Sequence, residues 1–440
     1  IMAFVHCGSE ECVKSEQLDL FTIAPTQTSI EKSLYVEIPL LSALSESAPI
    51  EFYIVGNGED YLDLNNTLLY IVCKIIKADG STIAHGAKVG LINYPVVSIF
   101  SQVDITVGDC LISQSNHCYP YRAYIESILN YSRETLDTQF STGLVYRDTP
   151  GEHEDFDLDG DNEGFKKRNV FTAFSRKVEL MGRLHAGLFF QEKLMLNGVD
   201  VKIKLIRNKD EFCLLSGDAD ERYKLKIIST LLFVKKVKVS PRVRLSHAEA
   251  LLMANTKYPI DRVGMKVLSI AAGSCVCNQE NLFLGQLPKL IVIGFVDNDS
   301  FSGVYHKNPF NFKHYNINFV ALYMDGEQVP VKPLQPDFQT GNAIREYCNL
   351  IQAAGKHLKY RLLVINRENF CKGYTLFRFD LTPDQECSDH YSLIKTGKLR
   401  AEIRFAEPLP SMVNMILYAV FDNVIEINQR RNILFDYIIV

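Results

Sequence analysis

The sequence predicts an all-β chain folded as two tandem eight-stranded β-sandwiches with short interspersed helices. Three observations predict it: a length of 440 residues, a series of short apolar runs bounded by turn residues, and an order of elements that occurs twice. One hydrophobic core rarely serves a chain this long, whereas two domains of roughly 200 residues can each bury their own. With 47% hydrophobic and 22% charged residues, there is apolar material for two cores and too little charge for wholesale disorder.

The strands come first. Segments 50–55, 67–76, 178–184, 201–206, 225–239, 289–296, 374–381, 399–405 and 412–427 are rich in Val, Ile, Leu, Phe and Tyr and end in Gly, Asp, Asn or Pro, the pattern of β-strands. Helical spacing is confined to three places. Tyr121, Tyr124, Ile125, Ile128 and Leu129 follow Pro120 at i, i+3, i+4, i+7 and i+8, which predicts an amphipathic helix with proline in its first turn. Ile344, Tyr347, Cys348 and Ile351 form a second stripe, with Asn342 as N-cap and Gly355 as the stop. Ser246 and Glu249 have capping-box spacing, which predicts a third helix ending near Asn255.

The repeat is architectural, since side-chain identity between the copies is slight. In the first copy a strand pair turns at Gly108-Asp109, the Pro120 helix follows, then a strand from Val178 and strands after Gly198 and Leu225. In the second a pair turns at Asp325-Gly326, the Asn342 helix follows, then a strand from Tyr374 and strands after Gly397 and Met412. Tandem copies of one unit predict two like domains, with a seam near Pro241. The division expected is an N-terminal arm over 1–27, a first sandwich over 28–241, a connector helix over 242–258 and a second sandwich over 259–440.

A net charge of −5 argues against a surface that grips nucleic acid everywhere, because phosphate binding needs a basic footprint. Any such contact is expected to be local. No basic-then-apolar leader pattern is visible at Ile1-Met2-Ala3-Phe4, and apolar runs such as 290–296 fall far short of the ~20 residues of a membrane helix. Eleven cysteines, an odd number with only Cys7/Cys12 and Cys275/Cys277 as close pairs, fit reduced thiols better than a disulfide framework or zinc site. The glycosylation-like tripeptides at Asn65, Asn130 and Asn298 carry little weight without a secretory route.

Chemistry-bearing motifs are few and incomplete. Asp155, Asp157, Asp159 and Gly160, with Asp161 and Glu163 beyond, open like a calcium loop, but the twelfth position is Lys166 instead of Glu, and neither RDTPGEHE nor KKRNVF reads as a flanking helix. An exposed acidic loop is the expectation. Lys235, Lys236, Lys238, Arg242 and Arg244 form the most basic run. Alternation puts Lys236 and Lys238 on one side of a strand and Val237 and Val239 on the other, as for a solvated face. Gly56 and Gly58 lack the third glycine and helix of a dinucleotide loop, and the Gly-Lys pairs at Gly355 and Gly397 lack the upstream glycine of a phosphate loop. The ten histidines show neither H-x-H nor H-E-x-x-H; His314, beside Tyr315 within a strand, reads as a packing residue, and the neighbours His117 and Cys118 do not make a nucleophile pair. No catalytic, cofactor-binding or metal-ligating residue is assigned, no cofactor is expected, and the chain is not expected to be an enzyme.

Several strings carry a family resemblance. PIEFYIVGNGEDYLDLNNTLLYI, CYPYRAYIESILNY, the stretch from Asn278 to Asp299, NPFNFKHYN, LQPDF, GYTLFRFDLTPD and NILFDY resemble the major capsid proteins of Polinton/Maverick elements and adintoviruses, over nearly the whole chain. The resemblance implies a double jelly roll of the hexon lineage and a homotrimeric, pseudo-hexameric capsomer in an icosahedral virion shell. It also implies partners: further copies of the chain, penton and minor capsid proteins, and a weak contact of the inner face with packaged DNA. The protein would be made in the host cytoplasm, assembled in the nucleus and located in the virion capsid. A lectin-like or adhesion sandwich is the alternative; it predicts secretion and disulfides. A cupin-type enzyme would need converging histidines on a metal. Segments 133–172 and 355–372 are the expected exterior loops.

Overall fold

The computed structural model describes residues 20–435, apart from 22, 47, 57, 219–220, 357–362 and 386–389. Most of the expected arm, the Cys7/Cys12 pair and part of the 355–372 segment lie outside the described residues. Strands β1 (Ile30–Ile38), β2 (Ile50–Ile54), β3 (Asp60–Lys77), β4 (Val89–Leu91), β5 (Phe100–Val107), β6 (Cys110–Gln114), β7 (Val178–Gly182), β8 (Val201–Arg207), β9 (Leu214–Ser216) and β10 (Tyr223–Val239) precede the helix Pro241–Met253. After it come β11 (Thr256–Ile270), β12 (Val276–Gln279), β13 (Leu290–Asp297), β14 (Ile317–Met324), β15 (Glu327–Leu334), β16 (Leu376–Asp380), β17 (Leu399–Phe405), β18 (Val413–Ile427) and β19 (Ile433–Leu434).

The sheets repeat. In the first half the orders are β1-β10-β3-β7 and β2-β8-β5-β6, with β4-β9 as an accessory pair; in the second they are β11-β18-β13-β16 and β12-β17-β14-β15, with β19 beside β18. Every ladder is antiparallel. Taking strands in chain order and setting aside β4, β9 and β19, the two halves have one and the same connectivity, two four-stranded sheets of a jelly roll. The turns at the expected places have a local cause. Asp325 and Gly326 both have positive φ (51° and 90°), as a two-residue hairpin demands of its central residues.

The two halves share one core. Along β13, Ile291, Ile293 and Phe295 belong to the cluster inside the second sandwich, whereas Leu290, Val292 and Val296 belong to the cluster that runs on through the first. β18 divides likewise, with Met415, Leu417 and Ala419 inward and Ile416, Tyr418 and Val420 toward the first half. A sheet buried on both faces needs apolar residues at every position, which is why these strands read as unbroken runs instead of alternating.

Helix expectations needed correction at several points. The connector starts at Pro241, with Ser240 in the N-cap position and Pro241 in the first turn, so Ser246 and Glu249 lie inside it and cap nothing; proline immediately after a strand ends the ladder and presets helical φ. The second helix spans Ile344–Ala353 after Ala343, while Asn342 exchanges backbone hydrogen bonds with Asp337 (2.8 and 3.0 Å). Gly355, at φ 62°, does terminate it. KKRNVF is helical, within Glu163–Thr172, because Asn162 caps the Phe165 N–H. The helix Tyr119–Asn130 is buried on all sides up to Leu129 rather than amphipathic. Segment 133–172 carries helices, and Phe156, Phe165, Arg168 and Asp148 are buried within it.

Candidate assembly site at the seam between the sandwiches

Tyrosines on the helix Tyr119–Asn130 meet aromatic residues of the second half. The Tyr124 ring stacks on Phe310 (4.2 Å between centroids, 3° between planes) and Tyr121 on Phe301 (5.5 Å, 17°). Gly294 on β13 lets Phe312 and Leu376 pack close, since a Cβ there would stand 2.7 Å from the Phe312 ring and 2.8 Å from Leu376. One turn along the helix, Glu126 is buried and accepts from Arg122 Nε (3.0 Å) and Tyr418 OH (3.3 Å), and pairs with His185 Nδ1 (2.7 Å). Burial alone would raise the carboxyl, but Arg122 and His185 outweigh it and hold Glu126 at about 2. His185 Nε2 lies 2.9 Å from Tyr94 OH, so both ring nitrogens have partners and the network is satisfied on each side.

A second buried cluster fastens segment 133–172 to the second half. Asp148 Oδ1 accepts from Arg168 Nη2 (2.6 Å) and Asn162 Nδ2 (3.0 Å), and its Oδ2 accepts from Asn308 Nδ2 (3.0 Å). Arg168 also donates to the carbonyls of Leu91 (2.8 Å) and Tyr146, and Tyr374 OH donates to the Asp148 carbonyl (2.7 Å). Burial opposes the Asp148 charge, yet Arg168, His153 and Asn162 keep its carboxyl below the usual range. Beside it His153 is buried against the Tyr374 ring, 4.9 Å between centroids, and neither ring nitrogen has a hydrogen-bond partner. Burial pushes this imidazole down to about 4.

An open cleft of about 470 Å³ runs along the seam, lined by Glu126, His185, Tyr418 and Lys289 among others. Lys289 spans it between Asp261 (2.6 Å) and Asp422 (2.7 Å). Glu126, His185, Tyr418 and Lys289 all have partners, so ion pairs and hydrogen bonds cross the cleft.

Asp155 accepts from the backbone N–H groups of Asp157 (3.0 Å) and Asp161 (2.6 Å), Asp157 pairs with Lys88 (2.8 Å), and Lys166 Nζ donates to the Gly160 carbonyl (2.9 Å). Two ammonium groups thus stand where a cation would be needed, and no group of three metal-ligating side chains occurs among the described residues. Val237 and Val239 are buried, and within the basic run Lys235 meets Asp63 (3.1 Å) while Lys238 and Arg244 meet Glu59 (3.4 and 3.3 Å). Gly56 is required by packing, as a Cβ would lie 2.4 Å from the Val199 backbone. His314 sits in a turn instead of a strand, stacked on Phe338 at 4.2 Å. His117 is exposed whereas Cys118 is buried, its thiol pushed up to about 12. The seam residues Glu126, His185 and Asp148 went unnoticed in the sequence. Only their position in otherwise apolar or aromatic surroundings, as at Glu126 in YIESIL, could have flagged them.

No protein-family model matches the chain. The uncharacterized protein F54H12.2 of Caenorhabditis elegans is 23% identical over 436 residues, covering 94% of this chain and 99% of that one. Among solved structures, that of the Sputnik virophage matches with a TM-score of 0.69 at 11% identity, over 97% of this chain and 93% of that chain. The mavirus major capsid protein matches with 0.55 at 11% identity (99% and 97% covered) and the Faustovirus major capsid protein with 0.56 at 8% (92% of each). Among the described residues no helix is long and apolar enough to cross a membrane. The repeated strand order and these structural likenesses agree: the chain has the double jelly-roll fold found in viral major capsid proteins.

Proposed function

We propose that the chain is a structural major capsid protein, three copies of which form a pseudo-hexameric capsomer that tiles an icosahedral shell. The observation that carries this reading is one strand order used twice in a single chain, with the two sandwiches joined through a continuous core. Three such chains set six like sandwiches around one axis, so a closed three-fold oligomer occupies a six-coordinated place. The structural likeness to a chain of the Sputnik virophage and to the mavirus and Faustovirus major capsid proteins supports it.

In the finer reading the chain groups with the capsid proteins of Polinton/Maverick elements and adintoviruses. The first sandwich runs from residue 28 to the connector helix Pro241–Met253, the second begins with β11 (Thr256–Ile270), and residues 1–27 are an N-terminal arm. The protein's work is geometric: it holds a shape and repeats it, and catalyses nothing. Penton and minor capsid proteins are its other partners, in virions assembled in the nucleus. Contact with packaged DNA is weak, because Lys235, Lys238 and Arg244 are already engaged by carboxylates. Native mass measurement of the purified chain is expected to find three copies. A single chain at every concentration would contradict the reading.

A further inference from the structure

The internal repeat allows a contact between copies to be deduced from a contact within one. In the second sandwich the outer face of β11-β18-β13-β16, with Val292, Ile416, Tyr418 and Val420, is buried under the first half. The equivalent outer face of β1-β10-β3-β7 carries Leu68, Tyr70, Leu231, Phe233 and Met181. Register places Leu231 opposite Tyr70, Phe233 opposite Leu68, and Tyr70 opposite Met181. All five are half-exposed. A contiguous apolar sheet face of this kind marks an interaction surface.

The elements that do the covering within the chain have counterparts too. Across the seam, Ile112 and Gln114 of β6 line a narrow cleft with Ile260–Gly264 of β11, and the helix Tyr119–Asn130 lies alongside. The counterpart of β6 is β15, the counterpart of the helix is Ile344–Ala353, and the counterpart of β11 is β1. Each presents apolar side chains to solvent: Val331 on β15 is 93% exposed, Ile344 47%, and Tyr35 on the edge strand β1 53%. Of the stripe, Ile344 and Cys348 are exposed, whereas Tyr347 is drawn inward by a hydrogen bond to the Ile365 carbonyl (3.1 Å) beside Phe370; Ala343, Leu350 and Ala353 are the buried apolar residues of that segment.

Building on the capsomer reading, we propose that β15 and the helix Ile344–Ala353 of one copy cover the outer face of β1-β10-β3-β7 of the next copy, repeating between chains the contact that joins the sandwiches within each. The occupant of the face is therefore a second copy of this chain, through its second sandwich. The contact is heterologous, and with the intrachain seam it closes a ring of six sandwiches after three chains. One arrangement accounts for three separate exposures, on β1, on β15 and on the helix. It also covers the unpaired edge of β1, which would otherwise invite uncontrolled strand addition.

The test uses the full chain and sedimentation velocity across a concentration series. Val331→Glu and Tyr70→Glu should each raise the concentration at which trimers dissociate by at least about tenfold, as loss of a central apolar contact does, with melting temperature unchanged for Val331→Glu. Leu252→Glu, on the exposed connector helix, should leave association as it is. Independently, in a background with Cys275 and Cys348 replaced by serine, the pair Tyr35→Cys and Val331→Cys should give covalent trimers on oxidation. Trimers that survive both glutamate variants and form no such cross-link overturn this interface while leaving the capsomer reading intact. A wild-type chain that never associates overturns both.

Discussion

Two buried groups, His153 and Glu126, set the residue-scale response to pH; both lose stability as pH falls, in different intervals. His153 is held neutral, its folded value near 4 against 6.5 for the free side chain. The unfolded chain therefore takes up a proton that the folded chain refuses, and the stability is whole above pH 6.5 and falls as pH drops from there toward 4. A gap of this size corresponds to about 3 kcal/mol at most. Melting measured across that interval should decline for the native chain and decline less for His153→Phe; parallel slopes would remove His153 as the cause. Glu126, held near 2, acts only lower, losing its contribution as pH falls below about 4.5. Asp148 is a pairing case: Asp148→Ala leaves the Arg168 guanidinium buried without its carboxylate and should cost about 3–5 kcal/mol by chemical denaturation. Lys88→Ala, which removes the solvent-exposed partner of Asp157, should cost under about 1 kcal/mol. Equal losses for the two would contradict the placement of the Asp148 cluster in the core.

At the scale of elements, legibility followed how many faces of an element lie against the rest of its own chain. Strands such as β8, with Val201, Ile203 and Leu205 in and Lys202 and Lys204 out, announce themselves by alternation. The helix Tyr119–Asn130 did not: its stripe gave the right helix, but the polar residues Arg122, Glu126 and Ser127 that suggested a wet face are buried at the seam, where each finds a partner. The stripe on Ile344–Ala353 was legible as helix and only in part as a buried face: Tyr347 turns to Phe370 and the Ile365 carbonyl, Ile344 and Cys348 stay exposed, and Leu350, outside the stripe, is buried. In the acidic loop the missing twelfth ligand was legible and its replacement was not, since Lys166 reaches Gly160 only because KKRNVF is helical. With Asp155 turned to backbone N–H groups and Asp157 to Lys88, calorimetric titration with calcium is expected to give no heat and no change in melting. Saturable binding that raises the melting temperature would overturn that reading of the loop.

For the whole molecule, the duplicated order of elements was legible because turn residues and helix stripes keep their places while side chains diverge. What the sequence could not convey is that the two sandwiches share a core through the far face of β11-β18-β13-β16, a property of how the halves pack. That packing fixes the angle between sandwiches, and a fixed angle is what a closed ring of six requires. Electron microscopy of the purified chain, with particles averaged without imposed symmetry, tests this most directly. The account predicts a three-fold particle with six lobes of similar size around its axis; two-lobed single chains, or an open chain of sandwiches that never closes, would contradict it.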